Sequence, residues 1–150
     1  MGRKVFVAQS IINAPAEEVF RWHTEPLEVV ERAPGIRNGD RGVFRVRMGP
    51  FRVRWEFEHC DYVEGRQFRD VQIRGPFRRW DHTHRMMPEG PGSCRLEDRV
   101  EYELPLGFLG SLAGSWFVHR KLQKLFRYRH NITAEAMAQR HEKSASPEVP

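Results

Sequence analysis

Cysteine is scarce in this chain, whose 150 residues contain only Cys60 and Cys94. The two fall in separate predicted strands and lack the spacing of a thiolate metal site, which argues against a disulfide scaffold and a cysteine-based zinc site. We interpret both as reduced packing residues. No apolar run approaches the ~18 residues that a membrane span requires. The first residues also lack the apolar core and cleavage site of a signal peptide, so we expect a cytoplasmic protein.

Motifs for common enzyme chemistry are missing too. The sequence has no glycine-rich loop for phosphate, no cofactor motif, and no nucleophile with a base at a recognisable spacing. We therefore assign no catalytic residue and expect no cofactor. The length fits one domain that can build a single core without staples.

Charge, in contrast, is abundant and mostly basic. Lysine and arginine number 25 against 20 acidic residues, which gives a formal net charge of +5. A nucleic-acid surface gathers positive charge on one patch without interspersed acids. Here glutamates alternate with arginines along the same predicted strands, which favours solvated faces of cross-strand ion pairs. We therefore expect no nucleic-acid partner. These glutamates are Glu56, Glu58, Glu97, Glu101 and Glu103.

Hydrophobic periodicity predicts an α+β domain. Residues 4–12 alternate as a first strand, and two short helices follow, the second over 27–32. Side chains then repeat every two residues in five further strands, six in all, before a long helix over 115–137. Beyond it the apolar period stops, so we expect a domain over 1–138 and a disordered tail over 139–150. This order predicts a curved antiparallel sheet around the C-terminal helix, an arrangement suited to an apolar cavity.

The long helix places Val118, Leu122, Leu125 and Phe126 on one stripe. Arg129 lies on the same face. Because a guanidinium cannot lose its proton, an arginine that faces a sheet needs a carboxylate or water nearby. We therefore expect the space under the helix to be partly polar.

Strand pairing in the last hairpin indicates which carboxylate lies near Arg129. If the chain turns at residues 89–91, residues whose numbers sum to about 180 lie opposite one another, so that His82 faces Asp98. The predicted cluster is His82, Asp98 and Arg129, with His59, His84 and Tyr102 nearby. These groups either satisfy one another and fix the helix on the sheet, or orient the polar end of a ligand. The predicted apolar lining of that pocket is Trp55, Phe57, Val71, Ile73, Trp80, Leu122 and Phe126.

Two sharper interpretations use the same residues. His82 and His84, two apart on a strand, can reach one metal ion, with Asp98 as a third ligand. An arginine close by would oppose a cation, so we predict no metal site. Acid–base catalysis by the His82 and Asp98 pair is chemically feasible.

Four sequence segments resemble the START-like superfamily, also called SRPBCC. They are INAPAEEVF at 12–20, GPFRRWDHTH at 75–84, LEDRVEYELPLG at 96–107 and FRYR at 126–129. The resemblance spans nearly the whole domain and is strongest to a small bacterial ligand-binding branch, sometimes labelled cell-division-inhibitor-like. It implies a helix-grip fold with an internal apolar cavity. The superfamily includes polyketide cyclases and dehydrases as well as lipid carriers, so the fold alone does not choose between them.

The resemblance and the residues together predict a carrier or sensor of a small hydrophobic or lipid-like molecule, held between the long helix and the sheet. The apolar, glycine-rich loop over 107–114 would gate entry, and transient membrane contact is compatible with that role. The alternative is a cyclase or dehydratase acting on a polyketide-like substrate, with His82 as general base and Asp98 or Tyr102 assisting. The sequence leaves the oligomeric state open.

Overall fold

The computed structural model describes residues 2–24, 30–32, 35–48, 50–105 and 112–145. The elements are, in chain order, β1 (Lys4–Ile12), α1 (Ala16–Thr24), β2 (Val30–Arg32), β3 (Arg41–Met48), β4 (Phe51–Val63), β5 (Gln67–Arg74), β6 (Arg79–Gly90), β7 (Ser93–Glu103) and α2 (Leu112–Ala145). The strands form one antiparallel sheet in the order β1-β7-β6-β5-β4-β3-β2. This arrangement confirms the predicted helix-grip class, with α2 packed near β1 and α1 against β6.

Two apolar clusters fill the space between the sheet and the helices. The α1 cluster consists of Ile12, Ala14, Ala16, Val19, Phe20, Phe68, Met86, Cys94, Leu96 and Met137. The α2 cluster consists of Phe6, Trp80, Val100, Tyr102, Leu122 and Phe126. Helix α2 contributes to both because its buried residues recur at intervals of three and four, the spacing of one helical face.

The outer face of the sheet carries the predicted ladder of ion pairs. Arg99 and Arg3 both bind Glu101, and Arg85 binds Glu97, at N–O distances of 3.1, 3.0 and 3.3 Å respectively. Alternation along β7 therefore separates a charged outer face from a buried inner one.

One predicted helix is wrong in part. Residues Val30–Arg32 form β2, which pairs with β3 at the edge of the sheet, so the helix predicted over 27–32 does not extend through them. Residues 25–29 lie outside the described part of the chain. The sheet has seven strands among the described residues rather than the six expected, because β-pairing with β3 overrides the local helical pattern.

The long helix extends beyond its predicted ends. It includes residues 139–145, so the disorder predicted from residue 139 is wrong up to 145, and residues 146–150 lie outside the described part. Good helix formers continue here from a packed helix, and His141 Nε2 lies 3.0 Å from the Glu18 carboxylate of α1. At the other end, 112–114 are helical rather than part of a gating loop, whereas 106–111 are outside the described residues.

Neither α1 nor α2, the two helices in the described ranges, carries an apolar stretch long enough to cross a membrane.

The buried face of α2 can be tested with neighbouring residues. Phe126 is 1% exposed and Leu125 is 48% exposed, although the sequence placed both on one stripe. We expect Phe126→Ala to lower the free energy of unfolding by about 3–5 kcal/mol because it opens a cavity in the α2 cluster. Leu125→Ala should cost less than about 1 kcal/mol. Denaturant unfolding of both variants checks this, and equal losses would contradict the orientation of α2.

Candidate functional site: a buried histidine–aspartate network

Six polar side chains meet on the inner face of the sheet, between the two apolar clusters. We call this group the His–Asp network. Its members are His59 of β4, Asp70 of β5, His82 and His84 of β6, Asp98 of β7 and His130 of α2. Five of the six residues are at most 6% exposed, and the Asp70 side chain is 18% exposed. A buried carboxylate is stable only when it is paired, so the stability of the fold depends on the contacts of these two carboxylates.

Asp98 is the centre of one half of the network. Its Oδ1 lies 2.7 Å from His82 Nε2 and 3.0 Å from His84 Nδ1, and its Oδ2 lies 2.7 Å from His130 Nε2. The contacts to His82 and His130 are hydrogen bonds in which the ring N–H donates to the carboxylate. Asp98 therefore joins β6, β7 and α2.

Asp70 is the centre of the other half. Its Oδ2 lies 2.9 Å from His84 Nε2, and its Oδ1 lies 2.6 Å from His59 Nδ1. His84 thus stands between the two carboxylates and stacks on Phe68, with the ring centroids 4.2 Å apart. The contact between Asp70 Oδ1 and His59 Nδ1 is not aligned as a hydrogen bond, and among the described residues neither atom has another partner.

The network reaches an open cleft through His130. When the His130 ring is neutral and Nε2 donates to Asp98, Nδ1 accepts a hydrogen bond from the Ser10 hydroxyl, which lies 2.7 Å away. Ser10, His130 and Phe126 line a cleft of about 310 Å³ between β1 and α2. A polar chain of Ser10, His130 and Asp98 therefore runs from the cleft into the interior.

The contacts within the network shift the pKa values of its members in different directions. Burial alone would raise the pKa of Asp98, but hydrogen bonds from His130, His82 and His84 outweigh it and hold that pKa well below its usual range. The pKa of Asp70 is likewise lowered, since His59 and His84 outweigh burial. Burial and the neighbouring His84 lower the pKa of His82 to about 4.

His84 shifts in the opposite direction. Burial would lower its pKa, yet its contacts with Asp70 and Asp98 raise it above the usual value. The pKa values of two imidazoles on one strand are thus shifted in opposite directions, and His82, with a pKa of about 4, is neutral at neutral pH. His23 of α1, whose ring centroid lies 6.4 Å from that of His84, has a pKa lowered to about 4 by burial.

The structure brings together much of the predicted cluster. His82 and Asp98 are bonded, His84 is part of the same network, and His59 joins through Asp70. Tyr102 is buried in the α2 cluster, next to Phe77 and Trp80. Of the predicted apolar lining, Phe57, Trp80, Leu122 and Phe126 are buried and Trp55 is half-buried.

The predicted register of the last hairpin is wrong by two residues. His84, not His82, lies opposite Asp98, and His82 lies opposite Val100. Strand β6 continues to Gly90, so the chain turns later than expected. A shift of two keeps every side chain on its face, and His82 Nε2 still reaches Asp98 diagonally.

The predicted face of β5 is also wrong. Ile73 is 47% exposed and Val71 lies on the same outer face, whereas Phe68 and Asp70 point inward, opposite His84 and His82. Valine and isoleucine favour strands without specifying a face. Two register irregularities between β4 and β5 make alternation an unsafe guide here.

Arg129 does not take its predicted place. Among the residues that the structure describes, the groups bonded to or in contact with the Asp98 carboxylate are three imidazoles, and the Arg129 guanidinium lies over the Phe126 ring, 5.7 Å from its centroid. Neutral or singly charged imidazoles from β6 and α2 can approach from within the fold, whereas Arg129 is half-buried at the side of the helix.

Two members of the network were missed by sequence reasoning. His130 follows Leu122 and Phe126 at intervals of four, so its place on the buried face was available from helical spacing. Asp70 gave no comparable signal, because only pairing with β4 and β6 puts it inside.

Asp70, His82 and His84 each offer one ligand atom, and these three atoms lie within 4.8 Å of one another. Two imidazoles with one carboxylate form a donor set that suits divalent transition metals. The sequence-based objection to a cation rested on Arg129, which lies elsewhere.

Asp98 is expected to be the most sensitive polar position. Asp98→Leu leaves three buried imidazoles without their acceptor, and we expect a loss of about 3–5 kcal/mol in the free energy of unfolding. Glu101→Leu, on the outer face of the same strand, should cost less than about 1 kcal/mol because its ion pairs are partly exposed. Chemical denaturation compares the two, and similar small losses would mean that the network is solvated.

Stability should also depend on pH in a defined window. His82 has a folded-state pKa of about 4 against about 6.5 unfolded, so between these values the unfolded chain binds one more proton. Stability is therefore lost as the pH falls from about 6.5 to 4, by about 1.4 kcal/mol per pH unit for this group. His23 adds to the slope. Above the unfolded pKa, His84 acts in the opposite direction, because its raised pKa stabilises the fold only while its ring is protonated.

Denaturation at a series of pH values, with a chelator present, measures this slope. His82→Gln should make it shallower by about one proton, and His119→Gln, an exposed histidine of α2, should leave it unchanged. An unchanged slope in His82→Gln would show that His82 does not titrate in this window.

Comparison with known proteins identifies the fold. No protein-family model matches the sequence, and no curated protein gives a significant match. Among solved structures, a Thermus thermophilus protein is 23% identical over 95% of this chain and 100% of its own, with a TM-score of 0.64. A START superfamily protein from Mycobacterium smegmatis is 17% identical over 85% of this chain and 97% of its own, with a TM-score of 0.59.

An aromatase/cyclase from a Streptomyces species gives a similar result. It is 15% identical over 97% of each chain, with a TM-score of 0.63. These identities show a shared fold rather than a shared activity. The chain therefore has the START-like helix-grip fold that its sequence resembles.

Proposed function

We propose that this protein binds a small hydrophobic or lipid-like molecule in the cleft between β1 and α2. The observation that carries the proposal is the cleft of about 310 Å³ that ends at Ser10 and His130. Ligand pockets are concave, mostly apolar and equipped with a few convergent polar groups, and range from about 300 to 1,000 Å³. The volume of the cleft lies at the lower end of that range.

The lining of the cleft has an apolar part and a polar part, which suit different parts of the ligand. Phe6, Ala8 and Phe126 offer apolar surface to its body. At its other end the Ser10 oxygen, whose own proton is donated to His130, can accept a hydrogen bond from a hydroxyl or carboxyl group of the ligand, and His130 and Asp98 hold Ser10 in place. A ligand with an apolar body and one polar end matches this arrangement.

The surface beside the cleft has features that suit uptake of the ligand from a lipid membrane. Trp116 and Phe117 at the start of α2 are 61% and 53% exposed. Arg120 lies over the Trp116 ring and Lys121 over the Phe117 ring, 5.0 and 5.3 Å from the ring centroids. Aromatic and basic side chains on one face suit the interfacial region of an anionic membrane. Transient membrane contact is thus part of the proposal.

The second candidate is an enzyme of the cyclase or dehydratase class. Its support is the chain from Ser10 through His130 to Asp98, in which a carboxylate orients an imidazole that borders the cleft. One structural relative carries the name aromatase/cyclase. His82, the base expected from the sequence, is 4% exposed and does not line the cleft, so His130 takes that role in this alternative.

Filling the cleft tests the proposal. Gln123 is an exposed residue of α2 that lines the cleft, and Lys124 is its exposed neighbour that does not. Native mass spectrometry after incubation with a mixed lipid and quinone extract should show a discrete added mass on the unaltered protein. We expect Gln123→Trp to weaken that binding by tenfold or more and Lys124→Trp to leave it unchanged. Tenfold corresponds to about 1.4 kcal/mol, well within the contribution of a buried apolar group.

Bare protein under all conditions, or equal binding by both tryptophan variants, would contradict the proposed site. His130→Gln separates the two functions. For a carrier it alters affinity by the value of one hydrogen bond, whereas for an enzyme it abolishes turnover of a polyketide-like substrate while binding persists.

A further inference from the structure

We propose that Asp70, His82 and His84 form a binding site for one divalent transition-metal ion. This site is separate from the proposed ligand cleft, because none of the three residues lines that cleft. The inference rests on the donor set, on unpartnered buried atoms and on the balance of charge in the His–Asp network.

The geometry of the donors is close to that of a metal site. One ligand atom from each residue lies within 4.8 Å of the other two. Metal–ligand bonds of 2.0–2.2 Å place neighbouring ligand atoms about 3.4 Å apart in a tetrahedral site. Small side-chain rotations therefore suffice to enclose an ion. All three donors project from the adjacent strands β5 and β6, where Asp70 lies directly opposite His82.

Unpartnered buried atoms mark the same place. His84 Nδ1 and Asp70 Oδ1 are buried, and neither has a hydrogen-bond partner among the residues that the structure describes. His84 itself is 2% exposed. His84 Nδ1 lies 3.0 Å from Asp98 Oδ1 and Asp70 Oδ1 lies 2.6 Å from His59 Nδ1, but neither contact is aligned as a hydrogen bond. The polar groups of the two side chains are therefore incompletely satisfied as they stand.

Charge gives the third argument. Two carboxylates, Asp70 and Asp98, share one buried centre, and in the described ranges their ion-pair partners are imidazoles. A divalent ion neutralises both carboxylates at once, whereas one protonated imidazole supplies a single charge. Low dielectric makes that difference large in the interior.

The surrounding groups supply the outer support that metal sites need. Asp98 Oδ1 accepts from His82 Nε2 at 2.7 Å, which leaves the lone pair of that ring on Nδ1. A carboxylate that fixes the tautomer of a ligating histidine is a common feature of metal sites. His59 Nδ1, 2.6 Å from Asp70 Oδ1, can orient the ligating carboxylate in the same way. An ion between Asp70 Oδ2 and His84 Nε2, now 2.9 Å apart, takes the place of the shared proton.

The test uses Zn²⁺ and Co²⁺ on the chelator-treated protein, with no organic ligand present. After removal of free ion, we expect one Zn²⁺ per chain by elemental mass spectrometry, a higher Tm, and Co²⁺ absorption in the visible range typical of nitrogen and oxygen donors. Asp70→Asn and His84→Gln should each weaken binding at least tenfold, and Asp98→Asn, which acts through His82, by about 10–100-fold. His141→Gln removes an exposed histidine on α2 and should bind as the unaltered protein does.

Binding of Zn²⁺ well below one ion per chain, or equal binding by Asp70→Asn, His84→Gln and His141→Gln, would overturn the proposal. Circular dichroism verifies that each variant is folded. If a variant does not fold, histidine ring nitrogen resonances of the unaltered protein decide the matter. Zn²⁺ must then shift the signals of His82 and His84 and leave those of His119 and His141 in place, and the reverse pattern refutes the site. The metal experiment contains no organic ligand, and the residues it changes do not line the cleft, so failure of one proposal leaves the other intact.

Discussion

The buried carboxylate of Asp98 is the constraint on which the interior of this protein depends. An ionised carboxylate that is 1% exposed has lost its hydration, and that loss costs several kcal/mol unless hydrogen bonds replace the water. Three imidazoles do so, two from β6 and one from α2. The helix must therefore sit where His130 reaches the carboxylate, and the pairing of β6 with β7 must bring His82 and His84 to the same point. Apolar packing alone would tolerate sliding of α2 along the sheet, but these contacts do not.

A second carboxylate turns this anchor into an extended network. Asp70 shares His84 with Asp98, so the position of β5 is tied to that of β7 across the intervening strand. Aromatic rings close around the network, with Phe68 stacked on His84 and Phe126 edge-on to His82, 5.1 Å away. The low dielectric of these surroundings strengthens the charged contacts and makes unpartnered atoms costly. An interior with strong charged contacts and with polar atoms that lack hydrogen bonds is suited to bind a ligand or an ion that supplies the missing contacts.

Position in the fold separates the two proposed roles. His130 is the member of the network that borders the cleft between β1 and α2, so a molecule in that cleft meets the network through one imidazole and Ser10. Asp70 and the histidines of β6 lie on the inner strands, away from that opening. In these proposals His130 contributes a polar contact to the ligand in the cleft, whereas Asp70, His82 and His84 stabilise the fold and bind the metal ion.

Much of the architecture was determined by the sequence alone. Alternation along β6 and β7 separates inner from outer side chains whatever the register, since a shift of two residues preserves the face. That is why Asp98 was found together with His82 although their register was wrong. The helical period of α2 identified Leu122 and Phe126 as buried, and the same period contained the signal for His130.

Tertiary structure decided what local patterns leave undetermined. The inward face of β5 depends on irregular pairing with β4, so Asp70 could be placed only once the sheet was assembled. The partner of Asp98 depends on which side chains reach it in three dimensions, and there an imidazole on α2 takes the place expected for Arg129. β2 and the last turns of α2 likewise form through contacts with β3 and Glu18 that are distant in sequence. The periodicity of a helix or strand determines which of its side chains are buried together. The residues that those side chains contact depend on how the whole chain folds.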